Sequence, residues 1–94
     1  MAAKKTKVDG VWQTGKAYFV RTVTNYFTGR LVTVTPQELL FADAAWVADT
    51  GRFADALKSG TLGEVEPYPG EVIVGRGALV DACLWDSDLP RAQR

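Results

Sequence analysis

The run Ala17 to Thr24, AYFVRTVT, is rich in β-branched and aromatic residues and predicts a strand. Asn25 suits a turn, and NYFTGRLVTVT continues in the same style to Thr35, which predicts a second strand beside the first. Pro36 has no N–H for a ladder, so Thr35-Pro36-Gln37 reads as a tight connection into a third strand, ELLFADAA, residues 38 to 45. The period then changes. Within residues 46 to 60, Phe53, Ala54 and Leu57 fall at i, i+1 and i+4, which predicts one short helix at about 50–59, with Thr50 as N-cap and Gly60 as its stop. TLGEVEPYPG, with two prolines and two glycines, reads as a loop or an irregular edge. EVIVGRGALVDACLW resumes strand chemistry as strands four and five, broken at Gly75 and Gly77, and DSDLPRAQR is a polar tail.

Five short strands and one helix are too few for a sandwich. The expected architecture is mainly β: a small, strongly bent sheet closing on itself as a barrel, with the helix between strands 3 and 4. Gly29, inside Phe27-Thr28-Gly29-Arg30-Leu31, marks either a hard bend around a barrel corner or a weak point at an edge. The expected organisation is a basic arm at 1–15, a single β-barrel domain at 16–85 and a polar tail at 86–94.

Composition narrows the function classes. The 94 residues are 47% apolar and 23% charged, an ordinary globular balance with room for one domain. There is no histidine, one cysteine (Cys83) and two serines (Ser59, Ser87), which removes most side chains on which catalysis and metal binding are built. A single Cys leaves no intrachain disulfide, so the apolar core must suffice. A domain this small gains burial by associating with a neighbour. No apolar run approaches the roughly 20 residues of a membrane span, and MAAKKTK lacks the apolar segment of a signal peptide; a cytoplasmic location without membrane contact is expected.

Net charge is zero but unevenly placed. Residues 1 to 16 hold Lys4, Lys5, Lys7 and Lys16 against Asp9, a net of plus three, whereas residues 31 to 71 hold seven acids against Arg52 and Lys58, a net of minus five. A basic arm beside an acidic body either docks on an acidic neighbour or stays a solvated terminus. Subunit contacts are expected from Lys4, Lys5 and Lys7, with Trp12 and Trp85 capping the barrel or anchoring copies to each other.

Catalytic chemistry is poorly supplied. Cys83 lies in the apolar stretch Ala82-Cys83-Leu84 with no histidine to activate it, and reads as a core thiol. Glu64/Glu66 and Asp86/Asp88 are i, i+2 carboxylate pairs in loop-like sequence, where solvation is the ordinary role, and Asp86 with Asp88 falls short of a calcium ligand set. Gly75-Arg76-Gly77 is too short for a phosphate loop. No catalytic residue, metal or cofactor is expected. Arg21, Arg30, Arg52 and Arg76, with Trp46 and Phe53, form the candidate ligand set, because guanidinium forks bind phosphate and aromatic rings stack on bases. Against it, strand arginines usually cover an outer face and Trp46 beside Val47 has the character of core.

Two resemblances add to this reading. Thr28-Gly29-Arg30-Leu31-Val32 followed by Leu39-Leu40-Phe41-Ala42-Asp43-Ala44 resembles the first signature block of Sm-like proteins, and Ile73-Val74-Gly75-Arg76-Gly77-Ala78-Leu79-Val80 is similar to the segment that closes the Sm barrel. The resemblance implies a five-stranded Sm-like barrel assembled into rings by strand pairing between protomers. Thr35-Pro36-Gln37-Glu38 stands where that family carries its base-holding Asp and Asn, and Ala78 where it prefers Asn or Asp, which leaves Arg76 as the family-type nucleic-acid contact. The order Arg21-Thr22, Gly29, Leu31, Ala45-Trp46, Gly51-Arg52, Leu57 and Gly60 also resembles small proteins encoded by tailed phages.

The resulting expectation is a non-enzymatic homo-oligomeric β-barrel, a phage accessory or virion structural protein located in the infected host's cytoplasm or in the virion, with other virion proteins as further partners. The alternative is a ring that sequesters a nucleotide signal or binds nucleic acid through inter-subunit arginines. Zero net charge argues against broad nucleic-acid coating.

Overall fold

In the computed structural model, which describes residues 11–93, the chain forms six antiparallel strands and one short helix. The strands are β1 (Ala17–Thr22), β2 (Tyr26–Val34), β3 (Glu38–Asp49), β4 (Glu64–Pro67), β5 (Val72–Gly75) and β6 (Leu79–Leu84), and α1 (Phe53–Ser59) lies between β3 and β4. The sheet order is β4-β3-β2-β1-β6, with β5 pairing β3 as well. β3 serves two neighbours on one edge: Glu38–Phe41 pairs with β5, and Ala45–Asp49 pairs with β4.

Each expected strand forms, with three corrections. Trp46 to Asp49 extend β3 beyond its expected end at Ala45, because Val47 supplies a second apolar position in strand alternation and packs on Phe19's side of the sheet. Arg52 occupies the N-cap in place of Thr50, whose hydroxyl donates to the Gly51 carbonyl at 2.7 Å. Gly60 ends the helix in the left-handed conformation, as its sequence position predicts. The 61–70 segment contains β4, whose Val65 is fully buried opposite Val47. The expected barrel closure fails as well: six strands form one open sheet, since among the described residues no ladder joins β6 to β4 or β5.

Both faces of the sheet are dry, which follows from alternation along β1. Tyr18 and Val20 point to one core with Phe27, Leu31, Leu39, Phe41, Ala44 and Val74, while Phe19 points to the other with Val47, Ala56, Leu62, Val65 and Trp85. Trp12 packs edge-on against Tyr18 at 5.0 Å in the first core. The helix and the segment from Trp85 to Leu89 cover the second, and the Trp85 ring stacks on Phe19 at 6.0 Å.

Gly29 sits at a β-bulge. Thr28 pairs with Ala45 and Arg30 with Ala42, so Gly29 faces both Asp43 and Ala44, and Asp43 takes a positive φ of 51°. A Cβ on Gly29 would lie 3.2 Å from that of Phe41 and 3.3 Å from that of Ala44. A second register shift between Leu31 and Thr33 bends the same pair of strands again.

Gly60 carries a double constraint, with φ 78° and a position where a Cβ would overlap the Ser87 side chain. Gly60→Ala is expected to destabilise the fold by about 2–4 kcal/mol, the sum of backbone strain and the clash. In thermal unfolding, adding Ser87→Gly should recover only the clash; full recovery would mean the backbone conformation costs nothing.

Candidate functional site

Arg21 on β1 pairs directly with Asp81 on β6 and with Tyr26 on β2. Its guanidinium donates through both Nε (2.7 Å) and Nη2 to the two Asp81 carboxylate oxygens, a bidentate fork, and lies 5.6 Å from the centroid of the Phe53 ring. Phe53, at the start of α1, tilts against Phe19 at 5.7 Å, and Tyr26 meets the same ring at 5.9 Å. Sheet register thus brings together Arg21 and Phe53, two residues of the candidate ligand set, on the helix-covered face. Asp81 occupies the fork that a phosphate would need.

The other candidate residues lie apart. Arg30 on β2 donates to Asp43 across the bulge, and Arg91 approaches the second Asp43 oxygen at 3.5 Å. Arg76 lies in a 3-10 turn (Arg76–Ala78) between β5 and β6, where its Nε donates to the Thr35 carbonyl at 2.8 Å. Arg52 is exposed before α1. Trp46 pairs with Phe27 and so points to the opposite face from Phe53, with 37% of its surface exposed. It is therefore a rim residue, whereas its neighbour Val47 belongs to the core. Trp12 is half-buried and Trp85 is buried, its indole N–H donating to the Asp88 carbonyl at 3.1 Å. The three lysines of the expected arm, Lys4, Lys5 and Lys7, lie outside the described residues.

Electrostatics at these pairs has a simple cause. The Arg21 hydrogen bond holds the Asp81 carboxyl below its ordinary range, and the Arg30 hydrogen bond does the same for Asp43, against an opposing effect of desolvation. The Cys83 thiol is pushed up, first by burial and then by Asp81, which keeps it protonated and unreactive near neutrality. No group of three or more His, Cys, Asp or Glu among the described residues is placed to hold a metal ion.

Two open clefts lie on the Trp46 side. One, of about 340 Å³, is lined by Asn25, Trp46, Glu66, Pro67, Tyr68 and Pro69. The next, of about 230 Å³, shares Asn25 and Tyr68 with it and runs along β5 to Gly75 and Ala78. A third hollow of about 190 Å³ lies among Thr33, Leu40 and Ile73 at the β5 side. Sequence reading gave Asp43, Asp81 and Tyr68 no site role and took Glu66 as solvated: Asp81 is 60 residues from Arg21 and carries no local signal, and the loop assignment passed over Tyr68, a half-buried ring between Pro67 and Pro69.

Thr28 is the anomaly of the buried interior. It is fully buried between Phe19 and Ala45 in register, and its hydroxyl finds no hydrogen-bond partner among the described residues.

Comparison with protein-family models, curated proteins and solved structures finds no match to the chain.

Two outcomes follow. Thr28→Val removes an unsatisfied hydroxyl at nearly constant shape and should stabilise by about 1 kcal/mol, read as a rise of several degrees in Tm; a lower Tm would mean the hydroxyl has a partner in solution. Because the folded-state carboxyls of Asp43 and Asp81 titrate below their unfolded value, both ion pairs stabilise the fold above that value, and the contribution is lost as pH falls through the folded one. Between about pH 4 and pH 2 the wild type should therefore lose more stability than the Asp43→Asn, Asp81→Asn double variant; parallel acid limbs would refute this.

Proposed function

We propose that this chain is a non-catalytic assembly protein that joins copies of itself edge to edge, in the role of an accessory or structural component of a phage particle. The observation that carries this reading is the state of its sheet edges. β5 and β6 each pair on one side only among the described residues, and they carry Ile73 at 68%, Val80 at 58% and Leu84 at 46% exposure. An unpaired strand edge studded with apolar side chains is a template for another strand, and soluble proteins ordinarily blunt such edges with charge or proline. Neither β5 nor β6 contains a proline or a lysine, and Asp81 on β6 is tied to Arg21.

Pairing β5 of one copy with β6 of the next is a head-to-tail contact, which closes into a ring when the rotation permits. The sheet left open within one chain would then be continued between chains, the arrangement that the Sm-like resemblance implies. The hollow at Ile73 and Leu40 would take an apolar side chain such as Val80 from the neighbour. The absence of histidine, and the commitment of Arg21, Arg30 and Arg76 to partners within the chain, favour this over nucleotide sequestration.

Native mass spectrometry of the gently purified protein tests the reading. The wild type is expected as a discrete oligomer, and Ile73→Lys or Val80→Lys as a monomer with unchanged far-UV circular dichroism. A wild type that remains monomeric at micromolar concentration overturns self-association. An oligomer retaining a nucleotide-sized mass moves the conclusion to sequestration.

A further inference from the structure

Trp46 and Glu66 face each other across the β3–β4 ladder, and the cleft they share with Asn25, Pro67, Tyr68 and Pro69 presents two aromatic rings, two prolines and one carboxylate. No lysine or arginine lines it. Glu66 is exposed and has no ion-pair partner among the described residues, and Glu64 is exposed on the same face of β4 two residues earlier. Ring faces carry a negative quadrupole and a carboxylate a full negative charge, so the chemistry that fits this cleft is an alkylammonium group on an extended segment.

This sequence supplies such a segment. Residues 1 to 10 hold Lys4, Lys5 and Lys7 against Asp9 alone, with no bulky side chain among the lysines. Ten extended residues reach about 33 Å. The described chain starts with Val11 and Trp12, the latter packed on Tyr18, and Gly15 donates to the Leu31 carbonyl. That is the end of the β1–β2 hairpin remote from Asn25, so the described chain enters the sheet at the end away from its own cleft.

We propose that the Trp46–Glu66–Tyr68 cleft receives the lysine-bearing N-terminal segment, residues 1–10, of a second copy of this chain. The inference rests on the self-association reading and adds to it a second contact, electrostatic and aromatic, separate from the strand edges. It gives the net positive N-terminus and the net negative middle of the sequence one common purpose.

The test uses a fluorescent synthetic peptide spanning residues 1–10 and a protein variant lacking them. Saturable binding at low salt is expected, weakening at least tenfold with Glu66→Lys and falling as salt screens the charges. Trp46→Ala should weaken it too, and the exposed Glu66 position serves if that variant fails to fold. A peptide with glutamate at positions 4, 5 and 7 should prefer the Glu66→Lys protein to the wild type. No saturable binding, or equal binding to wild type and Glu66→Lys, overturns the proposal. Carbodiimide coupling of lysine to Glu66 in the full chain should give products of two chain masses; coupling confined to single chains overturns the second copy as the source. An oligomer that persists after deletion of residues 1–10, without peptide binding, overturns this contact and leaves edge pairing standing. A monomeric full chain overturns both.

Discussion

The bulge at Gly29, Asp43 and Ala44 is the constraint on which the rest of the molecule depends. β3 is twelve residues long and must present one half of an edge to β5 and the other half to β4, two consecutive strands that lie end to end along it. An undistorted strand would offer both in one plane. The extra residue between Ala42 and Ala45, with Asp43 in the left-handed region, breaks the alternation and re-aims the strand between its halves. Glycine suits position 29 because a Cβ there would come within 3.2–3.3 Å of Phe41 and Ala44, closer than ordinary packing contact. Arg30 and Arg91 then neutralise the Asp43 carboxylate that the bend turns outward, which ties the C-terminal segment to the same point.

The two-sided core explains how so small a domain holds together without an intrachain disulfide. A single sheet with one wet face would bury only half of its alternating side chains, yet here Phe19 and its neighbours Tyr18 and Val20 are all buried, on opposite faces. The cost is that both faces are spent on internal packing. What remains for partners is the periphery: the outer edges of β5 and β6, and the clefts beside Trp46 and Tyr68. The arginines that looked free along the sequence are mostly engaged within the chain, which removes the convergent cationic pocket that an anionic ligand would need.

Strand existence was legible because β-branched and aromatic clusters between turn residues are a local signal, and Gly60 announced the helix end for the same reason. The extension of β3 through Asp49 was not, since Trp46-Val47-Ala48-Asp49 has as much helical as strand character until Val65 is known to lie opposite Val47. Barrel closure was misjudged on strand count: β4 was hidden by the prolines that end it, and adding it relieved the sheet of the need to close. Gly29 was read as a barrel-corner bend or a weak edge point and is neither: it lies opposite Asp43 and Ala44 at a bulge in a sheet that does not close. The candidate arginines were right as exposed cations and blind to their acceptors, because Asp81 reaches Arg21 only through the β1–β6 ladder.

The stacking of Trp85 on Phe19 also sets the order of events when the chain is made. Phe19 is synthesised early and Trp85 late, and until the late ring arrives the helix-covered face stays wet however well the hairpins have formed. The helix-covered core therefore closes only once β6 and the segment after it have been made, with few stable halves along the way.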